Sequence, residues 1–232
     1  MVGVPDKASS PQALRVRGLS FGFRGGFSLA VPQLDLAAGG ELLLAGPSGS
    51  GKSTLLLLLA GLLEPAAGRV EIGGEPISAL RGSARDRCRG RRVGMIFQTF
   101  HLLPGFSAAE NVMLAMLFAD RPAGEHRDRA IGLLASLGIE DSHRPAETYS
   151  VGQQQRIAVA RALAARPSLV LADEPTASLD PDNADRTIAL IREACRAEGA
   201  ALLLTSHDPR LHGVLAHTID AREFAGTSGA GE

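Results

Sequence analysis

The residues of this chain best suited to chemistry are Gly46-Pro47-Ser48-Gly49-Ser50-Gly51-Lys52-Ser53-Thr54. Gly46 to Ser53 fit the phosphate-loop pattern G-x-x-x-x-G-K-[ST]. In such a loop the glycines allow a tight turn and let backbone N–H groups approach phosphate oxygens. Lys52 neutralises the β- and γ-phosphates, and the Ser53 hydroxyl ligates Mg²⁺. A glycine-rich turn that binds nothing is the plain alternative. The flanks argue against it. Glu41 to Ala45 reads as a short buried strand, and the proline-free leucine run after Lys52 reads as a buried helix.

Other predicted strands end in groups that suit the same chemistry. Val93 to Gln98 is an apolar run closed by Gln98. Leu169 to Ala172 is followed by Asp173 and Glu174, and Ala201 to Thr205 by Ser206 and His207. Ligands of parallel sheets gather at the carboxyl ends of strands. Asp173 is placed to hold Mg²⁺ opposite Ser53, and Gln98 to offer a neutral oxygen to the metal and to an attacking water. Glu174 is placed to polarise that water. His207 is placed to donate a hydrogen bond to the γ-phosphate. Taken singly, an Asp-Glu pair is more often a helix cap and a histidine a surface residue; the phosphate loop is what favours catalysis.

Ser150-Val151-Gly152-Gln153 opens a further helix with free N–H groups and a hydroxyl. One phosphate loop does not account for a second anion-binding helix start. Two copies of the chain do, if each brings this helix end to the other's γ-phosphate across a two-fold interface. A simple N-cap is the alternative.

These groups need a scaffold. Ala13 to Leu19 alternates as a half-exposed strand, and Phe27 to Leu36 reads as another, with Pro32 indicating an edge or bulge. Arg69 to Ile72 is a strand, and the arginine-rich Ser83 to Arg92 a solvated helix and turn rather than a nucleic-acid patch. Ala108 to Phe118, Arg127 to Leu137, Gln153 to Ala165 and Asp182 to Arg196 have helical spacing. Strands alternating with helices, several apolar throughout, imply a mostly parallel sheet covered on both faces.

The chain has 232 residues, 21% of them charged, and a net charge of −1. That excludes a global basic field for nucleic acid. Cys88 and Cys195 are widely separated, which favours free thiols over a disulfide or zinc site. The N-terminus lacks a signal pattern, and the leucine run to Leu63 is about half a membrane span. A cytoplasmic location follows, with any membrane role requiring a partner.

Together the motifs resemble the ATP-binding subunit of ABC transporters over about residues 13 to 224. Gly46 to Thr54 matches Walker A, Gln98 the Q-loop, and Tyr149 to Gln153 the signature LSGGQ. Leu169 to Asp173 matches Walker B, Glu174 the catalytic glutamate, Ser178-Leu179-Asp180 the D-loop and His207 the switch histidine. Phe23 falls where the family stacks an aromatic on adenine; Phe21, or neither ring, is the alternative. The resemblance implies an α/β P-loop NTPase core with a mostly parallel sheet, an N-terminal antiparallel β portion and a helical subdomain inserted at about 99–152. Residues 1–12 and 225–232 are expected as flexible tails. It also implies ATP and Mg²⁺ as ligands and two subunits, identical or paralogous, closing head-to-tail on two ATP. Integral-membrane permease subunits are the implied partners, with the chain peripheral on the inner face of the plasma membrane.

A finer likeness is to the branch serving lipoprotein release, macrolide export and FtsE-like cell-division complexes. It rests on Phe97 to Pro104, Ala109 to Val112 and Ala172 to Thr176. Amino-acid importers share part of that pattern, and regulation of an envelope or cell-division complex without transport uses the same motor. Val151 departs from the first signature glycine, Tyr149 from its leucine and Phe23 from the usual tyrosine. The closest approach to phosphate is expected at Gly152.

Overall fold

A computed structural model describes residues 11–22, 26–119, 122–177 and 179–225. Strand β1 (Gln12–Gly22) pairs antiparallel with β2 (Ser28–Ala37) and with β4 (Ala67–Ile72), in the order β2-β1-β4. Pro32 does lie on an edge strand, where its missing N–H breaks no ladder. Strand β1 runs past the predicted Leu19 because it is the central strand, paired on both sides.

The second sheet is parallel throughout, in the order β5 (Val93–Ile96), β6 (Leu169–Asp173), β7 (Ala201–Ser206), β3 (Glu41–Ala45), β8 (His217–Asp220). Its strands alternate between two apolar clusters. Leu43, Val170, Leu202 and Leu204 point into one, and Leu42, Leu44, Leu169 and Leu203 into the other. This period of two is why strands buried on both faces read as unbroken leucine runs.

Helix α1 (Lys52–Leu59) and the antiparallel sheet cover the second face, with Leu55, Leu56, Leu58 and Leu59 buried against it. Helices α3 (Ala108–Met116), α4 (Ala123–Ser136), α5 (Val151–Leu163) and α6 (Pro181–Ala197) serve the first. Helix α3 starts with a reciprocal box: the Ser107 hydroxyl accepts from the Glu110 N–H and the Glu110 carboxylate from the Ser107 N–H. Arg129 on α4 reaches the Glu198 carboxylate at the end of α6 with both nitrogens and also donates to the Leu163 carbonyl of α5. Helix α4 is thereby fastened to α5 and to the end of α6.

The arginine-rich helix α2 (Gly82–Arg92) is charge-compensated, as expected of a solvated face. Arg91 and Arg92 pair with Glu75, Arg89 with Asp86 and Arg81 with Glu64. Both cysteines are buried free thiols. Burial, aided by Glu75, pushes the Cys88 thiol up to about 11, and burial with Glu41 pushes Cys195 up to about 12. Among the described residues, no helix is long and apolar enough to cross a membrane.

Helix α5 lies close on β5 because Gly94 has no side chain; a methyl group there would overlap the Ala162 carbonyl. Gly94→Ala is therefore expected to destabilise the fold by about 2–3 kcal/mol, read as a lowered urea midpoint at unchanged m-value.

Candidate nucleotide site

The phosphate loop joins β3 to α1. Gly51 precedes the helix in a left-handed conformation (φ 90°), and no side chain caps the first N–H groups of α1. Those groups are left for a ligand. A Cβ on Gly51 would also come within 2.6 Å of the Phe27 ring, so only glycine fits both the angle and the space.

Lys52 is 4% exposed, and its ammonium makes three contacts: the carbonyls of Gly46 at 2.8 Å and Pro47 at 2.9 Å, and the Glu174 carboxylate at 3.1 Å. The other Glu174 oxygen is 2.6 Å from His207 Nδ1. The carboxylate thus bridges the loop lysine and the histidine. Beside it, Ser53 Oγ lies 3.1 Å from Asp173 Oδ1. The phosphate loop and the ends of β6 and β7 meet in one cleft of about 520 Å³, whose walls include Ser48, Gly49, Gly51 to Thr54, Gln98, Glu174 and His207. Gln98 reaches it from a loop, since β5 stops at Ile96 rather than at the predicted Gln98.

Glu174 adopts φ 43°, uncommon for a residue with a side chain, and precedes Pro175, which disfavours helical backbone before it. Such strain costs about 1–3 kcal/mol and persists only where surroundings over-determine it. Thr205 supplies part of that. Its hydroxyl accepts from the Glu174 N–H at 3.1 Å and donates to Asp173 Oδ1 at 2.8 Å. One buried threonine therefore orients two neighbouring acids.

Two of these residues escape a reading by motif. Thr205 does so, although with Ser206 it closes an otherwise leucine-rich strand. So does Phe27, which lines the cleft; its only signal is an aromatic just after Gly25-Gly26. Phe23 and Ser178 lie outside the described residues.

Ser150 to Gln153 are not in this cleft. Ser150 caps α5 through a box with Gln153: its hydroxyl accepts from the Gln153 N–H, and the Gln153 side chain accepts from the Ser150 N–H. The simple-cap reading is thus satisfied within the chain, and α5 still presents its first turn outward. Val151 is 57% exposed, and a side chain at Gly152 would meet nothing. Tyr149 is buried beneath Arg144 and donates its hydroxyl to the Asp141 carbonyl, which explains a tyrosine in place of leucine as local packing. Asp180 also acts as a cap, accepting from the Asn183 N–H at the start of α6.

The ABC transporter family model matches residues 29–177. The chain is 50% identical over 185 residues to the lipoprotein-releasing system ATP-binding protein LolD of Anaeromyxobacter dehalogenans, spanning 77% of this chain and 75% of that protein. It is 48% identical to LolD of Maricaulis maris over 78% and 79% of the two chains. Its fold is similar to that of the dimeric MJ0796, a bacterial ABC transporter cassette, with TM-score 0.76 and 29% identity over 90% of this chain and 95% of that one. It is also similar to cbiO1 of Clostridium perfringens, part of the transporter complex cbiONQ, with TM-score 0.75 and 29% identity over 85% and 79%. With a phosphate loop, acids and histidine in one cleft and well over half the chain matched, the protein belongs to the ABC transporter family, as an ATP-binding subunit whose ATP hydrolysis is coupled to transport.

Proposed function

We propose that two copies of this chain, or this chain and a paralogue, close on two MgATP and so drive membrane permease subunits of a lipoprotein-releasing complex. The observation carrying this reading is the Lys52–Glu174–His207 bridge beside the Ser53–Asp173 pair, with the α5 helix start outside that cleft. Relatives near 50% identity named as ATP-binding proteins of a lipoprotein-releasing system support the cargo.

Walker A, Gly46 to Thr54, cradles the phosphates through backbone N–H groups and the Thr54 side of the first turn. Ser53, Asp173 and Gln98 offer only oxygen donors, and two of them already stand 3.1 Å apart, which suits Mg²⁺. Bound there, Mg²⁺ supplies positive charge to the β- and γ-phosphate oxygens. Lys52 has all three N–H bonds occupied by protein oxygens. It reaches a phosphate by exchanging one of them, and Glu174 is the acceptor able to swing away. Glu174 then orients and deprotonates water, and His207 passes from the carboxylate to the γ-phosphate. Ser150, Val151, Gly152 and Gln153 of the second copy complete the site, with Asp180 at the facing edge.

The permease contact is assigned to the helical segment. A groove of about 350 Å³ runs along Gln98 to Pro104 and reaches Val151. Leu103 is 46% exposed there. It shares Gln98 with the nucleotide cleft, which gives a partner in the groove a direct lever on the site.

Glu174→Gln is expected to bind MgATP, lose hydrolysis by at least about a hundredfold, and run as a dimer with MgATP in size exclusion; full turnover by this variant would sink the base assignment. Val151→Gly should stay within a few-fold of wild-type ATPase activity. Gly152→Asp should abolish activity while leaving stability within about 0.5 kcal/mol, because the fold has room for the side chain and only the facing phosphate objects. An active Gly152→Asp protein argues against α5 completing a partner's site. Leu103→Glu should keep the isolated subunit's activity but lose co-purification with the permease.

A further inference from the structure

The Glu174–Pro175 turn has a second tether besides Thr205. Gln155 lies on α5, one turn beyond Val151 and Gly152, and is 3% exposed. Its Nε2 donates to the Pro175 carbonyl at 2.8 Å. Its Oε1 accepts from the Thr187 hydroxyl of α6 at 3.1 Å. Both ends of the buried amide are therefore used, and Thr187 fixes which end faces Pro175. One side chain joins three elements: the helix that starts at Ser150, the strained turn at Glu174, and the helix that starts after Asp180.

We propose that Gln155 is a positioning residue for hydrolysis, holding the Glu174–Pro175 turn in register with the first turn of α5. The proposal rests on the reading of Glu174 as the base and of α5 as completing a partner's site. A positive φ before proline relaxes unless its neighbours forbid it. Thr205 holds the turn at the Glu174 N–H, and Gln155 holds it at the next carbonyl. The Thr205 anchor belongs to the chain's own sheet. The Gln155 anchor belongs to α5, so any displacement of that helix start is carried to the chain's own base. The two composite sites of a dimer are then linked through this amide: the helix end that faces one nucleotide sets the carboxylate that serves the other.

Gln155→Met keeps the length and packing of the side chain but makes neither hydrogen bond. In steady-state ATPase assays on the full chain, at protein concentrations where specific activity has levelled off, kcat should fall about tenfold, while KM for ATP stays within about twofold. The thermal midpoint should stay within about 3 °C of wild type. Thr187→Val removes only the partner that orients the amide, and should lower kcat about threefold at unchanged KM. The double variant should be no slower than Gln155→Met alone, since Thr187 then has nothing left to orient. Wild-type kcat in Gln155→Met overturns the proposal, as do additive effects in the double variant or a loss of kcat that tracks a raised KM or a lowered midpoint. If Gln155→Met does not fold, Thr187→Val decides: a normal kcat overturns the proposal. Glu174→Gln separates the two claims. If it is inactive and Gln155→Met is normal, only the positioning role fails; if it is active, the underlying reading fails.

Discussion

A buried ammonium organises this molecule. Lys52 is nearly inaccessible, and a charge so placed must be met by acceptors or be costly to keep. The loop before it supplies two carbonyls and the end of β6 supplies a carboxylate. For both to reach one nitrogen, β3 and β6 must lie in one parallel sheet with β7 between them, as they do. The His207 contact and the Thr205 clamp on the neighbouring acids follow from β7 occupying that middle position. Under the proposed mechanism the carboxylate that satisfies the lysine is also the one that acts on water, so ground-state neutralisation and chemistry would draw on a single group.

Much of this was legible from residue order because the contributing signals are local. Polar residues stand within a few positions of an apolar run, so Lys52, Asp173, Glu174 and His207 could be picked out as candidates, and the fold does bring them into contact with one another or with neighbours in the cleft. The segment Ser150-Val151-Gly152-Gln153 was read as a helix start, and a helix does begin there, closed by a reciprocal cap. Leucine runs announced strands covered on both faces, and the alternation of their side chains between two clusters was implicit in that pattern.

What was not legible depends on distance in the chain. Thr205 is 31 residues from the Glu174 it clamps, and Gln155 is 20 residues from the carbonyl it holds. No periodicity reports such pairs. Gln155 also looks like one more polar residue in a Gln-Gln-Gln run, of which Gln153 caps, Gln154 bonds the Tyr149 carbonyl and Gln155 alone is buried. Three identical residues take three roles because a helix turns 100° between them. Element ends were also displaced: β5 closes two residues early, leaving Gln98 on a loop shared by cleft and groove.

The division of the core by the parallel sheet has an evolutionary side. The phosphate loop and α1 are seated on one face, while α3, α4 and α5 are seated on the other. Substitutions among the outward residues of the helical face, such as Leu103, Leu117 or Phe118, leave the packing beneath the loop untouched. If that face is the permease contact, as proposed, a partner can be exchanged by redrawing it without disturbing the packing under the phosphate loop. Arg129 and Gln155, which tie α4 and α5 to α6 and to the Glu174–Pro175 turn, are the residues through which such a change would still be felt at the site.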